Sequence, residues 1–339
     1  EDAANYSFAG FTTAGNNYVV DRKNLTISAS AADKVYDTTT NASVTLSSDR
    51  LAGDRLSLSQ SSAHFDNKNA GTSKTVTVNG LAISGTDADN YKLTHTTTTT
   101  TATISKADLT LKAVEDEKIY DGHVSSSKAV LVVNNSGGHD TVVAKQEFTS
   151  KNVLGAHGSR LQLTSDLTIQ DADGVDMRSN YNIKTETAQG TIIPKAITLS
   201  GITAANKTYD GNTNAAVSVT NAVFNGMVAD DQLTVASTGV FSDKNAAIGK
   251  TVALKNTLGG ADLGNYIVAD QASTSADISK KAITLTGITA ANKTYDGNTS
   301  ASVSVTGAVF NGMVGDDQLS VTSTGVFSDK NAAIGKTVA

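Results

Sequence analysis

Tyrosine hydroxyls beside carboxylates are the first places in this sequence where chemistry could sit. The tetrad Lys-x-Tyr-Asp occurs four times, carrying Tyr36 and Asp37, Tyr120 and Asp121, Tyr209 and Asp210, and Tyr295 and Asp296. Glycine follows in three of them, as Gly122, Gly211 and Gly297. A phenol and a carboxylate on one corner could hold a sugar or a metal ion. The plainer reading is structural: Asp-Gly makes a turn in which glycine takes a positive φ, and a half-buried tyrosine gives its hydroxyl to a backbone partner. Thr38 stands where the first tetrad would have glycine, which a turn scaffold tolerates. The structural reading is therefore preferred.

Other reactive side chains are arranged less suggestively. Asp171, Asp173 and Asp176, in Asp-Ala-Asp-Gly-Val-Asp, and the pair Asp87 and Asp89 look superficially like calcium loops. No Glu follows at the EF-hand position, so a solvated acidic turn is the favoured account, with calcium the one cofactor left open. The histidines (His64, His95, His123, His139 and His157) form no His-x-x-x-His or His-Glu pair, and no Gly-x-Ser-x-Gly elbow is present. With no cysteine there are no disulfides and no thiolate metal sites. The chain is expected not to be an enzyme. A net charge of -6 with 27 Lys and Arg gives no basic stripe to follow a phosphate backbone, so nucleic acid is not an expected partner. No apolar run reaches the roughly 18 residues of a membrane span, so no membrane insertion is expected.

What must position these residues is a repeat. Residues 195–253 laid over 281–339 agree at 52 of 59 positions. A second motif, Phe followed three residues later by Lys-Asn, ends in Lys68-Asn69, Lys151-Asn152, Lys244-Asn245 and Lys330-Asn331. A third, Asn-Tyr, occurs at Asn17-Tyr18, Asn90-Tyr91, Asn180-Tyr181 and Asn265-Tyr266. The units run 22–105, 106–193 (the divergent one) and 194–279, with a truncated fourth at 280–339. Residues 1–21 read as the closing strand of a truncated upstream unit, because Asn17-Tyr18 has no Lys-x-Tyr-Asp before it. Such an array points to a solenoid or rod rather than a catalytic globule.

Inside a unit the apolar period is two: Ile197 and Leu199, Leu233 and Val235, Val252 and Leu254, Ala276 and Ile278 alternate with polar neighbours. With 46 Thr, 28 Gly and one Pro, the composition also suits strands and turns. Asp210-Gly211-Asn212, Asn225-Gly226 and Gly259-Gly260 mark turns, and the Lys-Asn pairs read as hairpin loops. The predicted fold is all-β: a tandem array of small β-sandwich, immunoglobulin-like repeats of about 86 residues with about six short strands each, a β-grasp arrangement being the alternative. Junctions of three residues, such as Ile193-Pro194-Lys195, restrict bending and predict an elongated, monomeric rod whose partners are its own neighbouring repeats.

Taken together, the three ordered motifs resemble the YDG repeats of large bacterial surface adhesins, the filamentous-haemagglutinin-like proteins of two-partner secretion. The resemblance spans nearly the whole chain and departs at Thr38 and in the second unit around Ser125 and Gly137-Gly138. It implies β-rich repeats in the stalk of a secreted protein at the Gram-negative cell surface, serving adhesion and biofilm formation. Two function classes then stand: a spacer that projects a distal binding domain, or a module that itself binds extracellular polysaccharide or host glycoprotein. Aromatic residues at 5%, with no Trp, favour the spacer.

Overall fold

Threonine, valine and isoleucine alternating with small polar residues have little alternative to extended backbone. A computed structural model describes residues 5–7 and 18–339, and among the described residues regular structure consists of short strands and one-turn 3-10 helices. Asn17 and most of 1–21, read above as a closing strand, lie outside the described residues; 18–22 carry no strand and Tyr18 is exposed. Contacts divide the chain into two compact units. The first comprises Glu1–Lys118, Val124–Ser150 and Leu154–Thr191; the second comprises Ile119–His123, Lys151–Val153 and Ile192–Ala339. The border cuts the second repeat, so that its Tyr120 corner and its Lys151-Asn152 loop group with the third.

In the first unit, repeat 1 is a small, curled β-sandwich. Lys34–Val35, Thr97–Ser105, Gly71–Asn79 and Ser62–Phe65 form one sheet in that order, and the pair Ile27–Ala31 with Val44–Ser48 packs over it. Every second side chain points inward: Ala63 and Phe65, Val76 and Val78, Ala102 and Ile104 meet Ile27. The threonine run 96–101 enters the sheet as a strand, Thr97 to Thr101 lying antiparallel to Asn79 through Thr75. The apolar core continues past the repeat boundary, since Leu109, Leu111, Ile169, Met177 and Tyr181 of repeat 2 belong to the same cluster as Tyr36 and Ile104 of repeat 1.

Repeat 1 contains ten strand segments where about six were expected. The reason is partner switching: Lys23–Leu25 pairs with Tyr91–Leu93, then after a break at Thr26 the chain pairs with Val44–Ser48 instead. The sheets are also mixed. The opening strand of each complete repeat runs parallel to its Asn-Tyr strand, with Lys23 opposite Tyr91, Ala107 opposite Tyr181 and Lys195 opposite Tyr266. Parallel pairs need long crossovers, and here most of a repeat supplies one. Alternation has period two in either direction, so sequence pattern alone does not reveal it.

In the second unit, repeat 3 repeats the plan with a five-stranded sheet built on Thr234–Phe241, Ala247–Gly259 and Ser273–Ser279. One buried cluster joins Phe241, Val252, Ala276 and Ile278, with Tyr209 and Leu254 partly buried beside it, and Ile197, Leu199, Ile202 and Tyr266 are buried as well. Repeat 4 keeps the opening segments, but Ile283 and Leu285 are each 39% exposed where their counterparts Ile197 and Leu199 are 3% and 4%.

With 52 of 59 residues identical, propensity is matched and only the covering strands differ. Expressed as this sequence, amide hydrogens in 281–339 should exchange much faster than their equivalents in 195–253. Equal protection would show that the opening strands fold without the Asn-Tyr and closing strands.

Candidate functional site

The Lys-x-Tyr-Asp corner lies where one repeat ends. Lys34–Val35 pairs in parallel with the end of Thr97–Ser105, and the Tyr36 amide donates to the Ser105 carbonyl at 2.9 Å. Tyr120 donates likewise to Ile193 and Tyr209 to Ser279. The next repeat's first strand starts two residues after Ser105 and Ile193 and five after Ser279, so the tyrosine ring is delivered to the following repeat.

There each ring meets an aspartate that the sequence reading passed over. In the first unit Tyr36 donates to Asp140 at 2.8 Å, and Tyr181, the Asn-Tyr tyrosine of the following repeat, donates to the same oxygen at 2.9 Å. In the second unit Asp231 receives Tyr120 at 2.8 Å together with Tyr266. The paired rings stand edge to face with centroids 5.5 Å and 5.4 Å apart. Asp317 accepts from Tyr209 at 2.8 Å. In repeat 1 Tyr91 donates to Asp54, the matching pair. The hydroxyl partner is thus a carboxylate of the next repeat, not the backbone group expected from a turn scaffold. Burial follows the partner: Tyr36 and Tyr120 are 0% and 1% exposed, Tyr209 is half-buried, and Tyr295 is 60% exposed.

The other two motifs close the same junction. In the three fully described Asn-Tyr pairs the asparagine ends a one-turn 3-10 helix, Ala88–Asn90, Arg178–Asn180 or Leu263–Asn265. The Asn180 side chain accepts from the Ala70 amide at 3.0 Å and donates to Asn69 at 3.1 Å; Asn265 accepts from Val153 at 2.9 Å and donates to Asn152 at 3.3 Å. Asn90, at the same place in repeat 1, is exposed. The Lys-Asn loops are hairpin connections, as in the turn from Ser62–Phe65 to Gly71–Asn79, and their lysines also reach forward. Lys68 pairs with Asp171 at 2.7 Å, Lys151 with Asp231 at 3.3 Å and Lys244 with Asp317 at 3.3 Å.

Within each repeat the motifs are tied by a cation over a ring: Lys34, Lys118, Lys207 and Lys293 lie 5.5 to 5.6 Å above Phe65, Phe148, Phe241 and Phe327. The corner aspartate stays at home. Asp37 accepts from the Lys34 side chain and the Thr39 amide, Asp121 from the His123 amide, Asp210 from Lys207 and the Asn212 amide, and Asp296 from Lys293 and the Asn298 amide. These are Asx turns, with Gly122, Gly211 and Gly297 at φ 76° to 81° and Thr38 at 65°. Tyrosine and aspartate of one corner therefore face different ways, and no shared sugar or metal pocket forms between them.

The acidic turn 171–176 is likewise spoken for. Asp171 accepts from Lys68 and from the Asp173 and Val175 amides, and Asp176 pairs with Arg178 at 2.8 Å. A lysine ammonium at a candidate ligand oxygen opposes cation binding there. Among the described residues no group of three His, Cys, Asp or Glu side chains is placed to hold a metal. Asn245, Lys330 and Asn331 lie in exposed loop segments of repeats 3 and 4.

Ionisation ties the junction to pH. Burial and the neighbouring Asp140 carboxylate push the Tyr36 and Tyr181 phenols well above the ordinary tyrosine range; burial and Asp231 do the same for Tyr120 and bring Tyr266 up to about 12. Burial would raise Asp231, but hydrogen bonds from Tyr266, Tyr120 and Lys151 prevail and hold it below the usual carboxylate range. The raised phenols stabilise the fold fully below the unfolded tyrosine value near 10 and lose that contribution as pH climbs through their folded values. The depressed Asp231 contributes above the unfolded aspartate value near 4 and is lost as pH falls through its folded one. Thermal stability should be flat from about pH 5 to 9 and drop on either side, more so above about 10. A melting temperature unchanged between pH 8 and 11 would contradict this.

A comparison with curated proteins finds no match. The family model described as the YDG domain matches residues 21–101, 105–188, 193–275 and 279–339. Those four matches cover most of the sequence and carry the Lys-x-Tyr-Asp, Lys-Asn and Asn-Tyr residues from Lys34 onward that build the junctions, so the chain belongs to the YDG domain family as a tandem array of four repeats.

Proposed function

We propose that this array is a non-catalytic spacer: the repeat region of a secreted adhesin at the Gram-negative cell surface, which projects a distal binding domain for cell or surface adhesion and biofilm formation. The observation that carries this reading is where the recurring polar groups are used. Tyr36, Tyr120, Tyr181 and Tyr266 are buried, and the hydroxyls, carboxylates and amides of the motifs are engaged in fastening one repeat to the next. A spacer under load needs such fastening and needs no pocket. A module holding polysaccharide or host glycoprotein would instead need aromatic platforms facing solvent, and the motif tyrosines of completed junctions are not available for that.

Two measurements test the proposal. The segment on a glycan array, and in a pull-down with matrix polysaccharide, should retain nothing; saturable binding would favour the binding-module reading. In cells displaying the full protein, in-frame removal of whole repeats should weaken adhesion while the purified protein keeps its affinity for the surface ligand. Adhesion independent of repeat number would overturn the spacer role.

A further inference from the structure

Two junctions in the second unit share a close contact outside the hydrogen-bonded set. A Cβ added to Gly122 would lie 2.7 Å from Val228 Cγ1, and one added to Gly211 would lie 2.7 Å from Val314 Cγ1. Both valines stand three residues before the junction aspartate, Asp231 or Asp317. This place has a fixed backbone role as well: the Val228 amide donates to the Tyr266 hydroxyl at 2.9 Å, and Leu51, three before Asp54, donates to Tyr91 at 3.0 Å.

The first junction, within the first unit, reverses both residues. Its corner carries Thr38 in place of glycine, and the residue three before Asp140 is Gly137 in place of valine. Thr38 holds a φ of 65°, a region that β-branched residues avoid. Gly137 has no room for a side chain: a Cβ there would lie 2.6 Å from the Tyr181 ring. The bulk has moved from the following repeat to the preceding one.

We propose that the residue after the corner Tyr-Asp and the residue three before the next junction aspartate form a matched pair that decides which repeat can seat on which. A glycine corner takes a repeat with a branched side chain at that place, and a threonine corner takes a repeat with glycine. Hydrogen bonds shared by all junctions cannot distinguish repeat 2 from repeats 3 and 4 as neighbours. A steric pair can, because a mismatch places two side chains in the space of one.

The test uses the full chain with three variants, Gly122→Thr, Val228→Gly and both together, read by amide exchange in 119–123 and 228–233. Gly122→Thr alone should lose protection by about tenfold or more, as overpacked sites do, and Val228→Gly by less. The double variant should recover most of the loss of Gly122→Thr. Gly297→Thr separates backbone strain from the clash, since Gly297 has φ 76° and nothing within 4 Å of its Cβ position; the loss of protection at its own corner, 295–299, should be small beside that of Gly122→Thr at 119–123. If Gly122→Thr prevents folding, Gly211→Thr with Val314→Gly applies the same test at the next junction. Full protection in Gly122→Thr, or a double variant no better protected than Gly122→Thr, would overturn the pairing.

Discussion

A carboxylate placed between two repeats has to be given hydrogen bonds by both, and that requirement organises the rest of the structure. Asp140 and Asp231 are nearly buried, at 7% and 5% exposure. An ionised group in such a place is costly unless donors surround it. One phenol comes from the preceding repeat and one from its own, and for Asp231 the Lys151 ammonium adds a charge partner. Removing the preceding repeat leaves the carboxylate short of a donor, and removing the following one leaves the phenol without its acceptor. The junction is therefore strongest when both repeats are present.

The size of the repeats makes that dependence useful. Each is under 90 residues, and in the first unit the cluster around Val76 and Ile104 runs on into Leu109 and Leu111 of the following repeat. Stability in such an array is approximately a sum of weak intrinsic terms and neighbour terms. Tyr36, Tyr120, Tyr209 and Tyr295 show the neighbour term directly. The same residue in the same corner passes from buried to exposed as the following repeat contributes both an aspartate and a tyrosine, an aspartate alone, or neither. The tetrad is part of one repeat by sequence and part of the next by contact, which is why 119–123 group with the second unit.

Much of this was legible in the residues, and the rest was hidden for identifiable reasons. The repeat, the strand period, the Asx corners and the hairpin loops are local and recur, so spacing reveals them. The partner of Tyr36 lies 104 residues away and that of Tyr120 lies 111 away, beyond the reach of any local pattern. Asp140, Asp231 and Asp317 were missed because aspartate is common in turns and because Gly137-Gly138-His139 replaces the Val-x-Asp that precedes the other two. A faint signal was present: Gly53-Asp54-Arg55-Leu56 and Asp231-Gln232-Leu233 both put a leucine two residues after the aspartate. Asp171 was recognised as acidic, but its partner Lys68 comes from another repeat, so spacing within the turn could only suggest a cation.

The central claim is that a tyrosine of one repeat and an aspartate of the next act as one unit. A double-mutant cycle on Tyr120→Phe and Asp231→Asn in the full chain, read by denaturant unfolding, measures that directly. The account predicts that Tyr120→Phe costs about 1.5–3 kcal/mol when Asp231 is present and much less when it is Asn, a coupling of about 1 kcal/mol or more. Additive losses, with a coupling under about 0.5 kcal/mol, would contradict it.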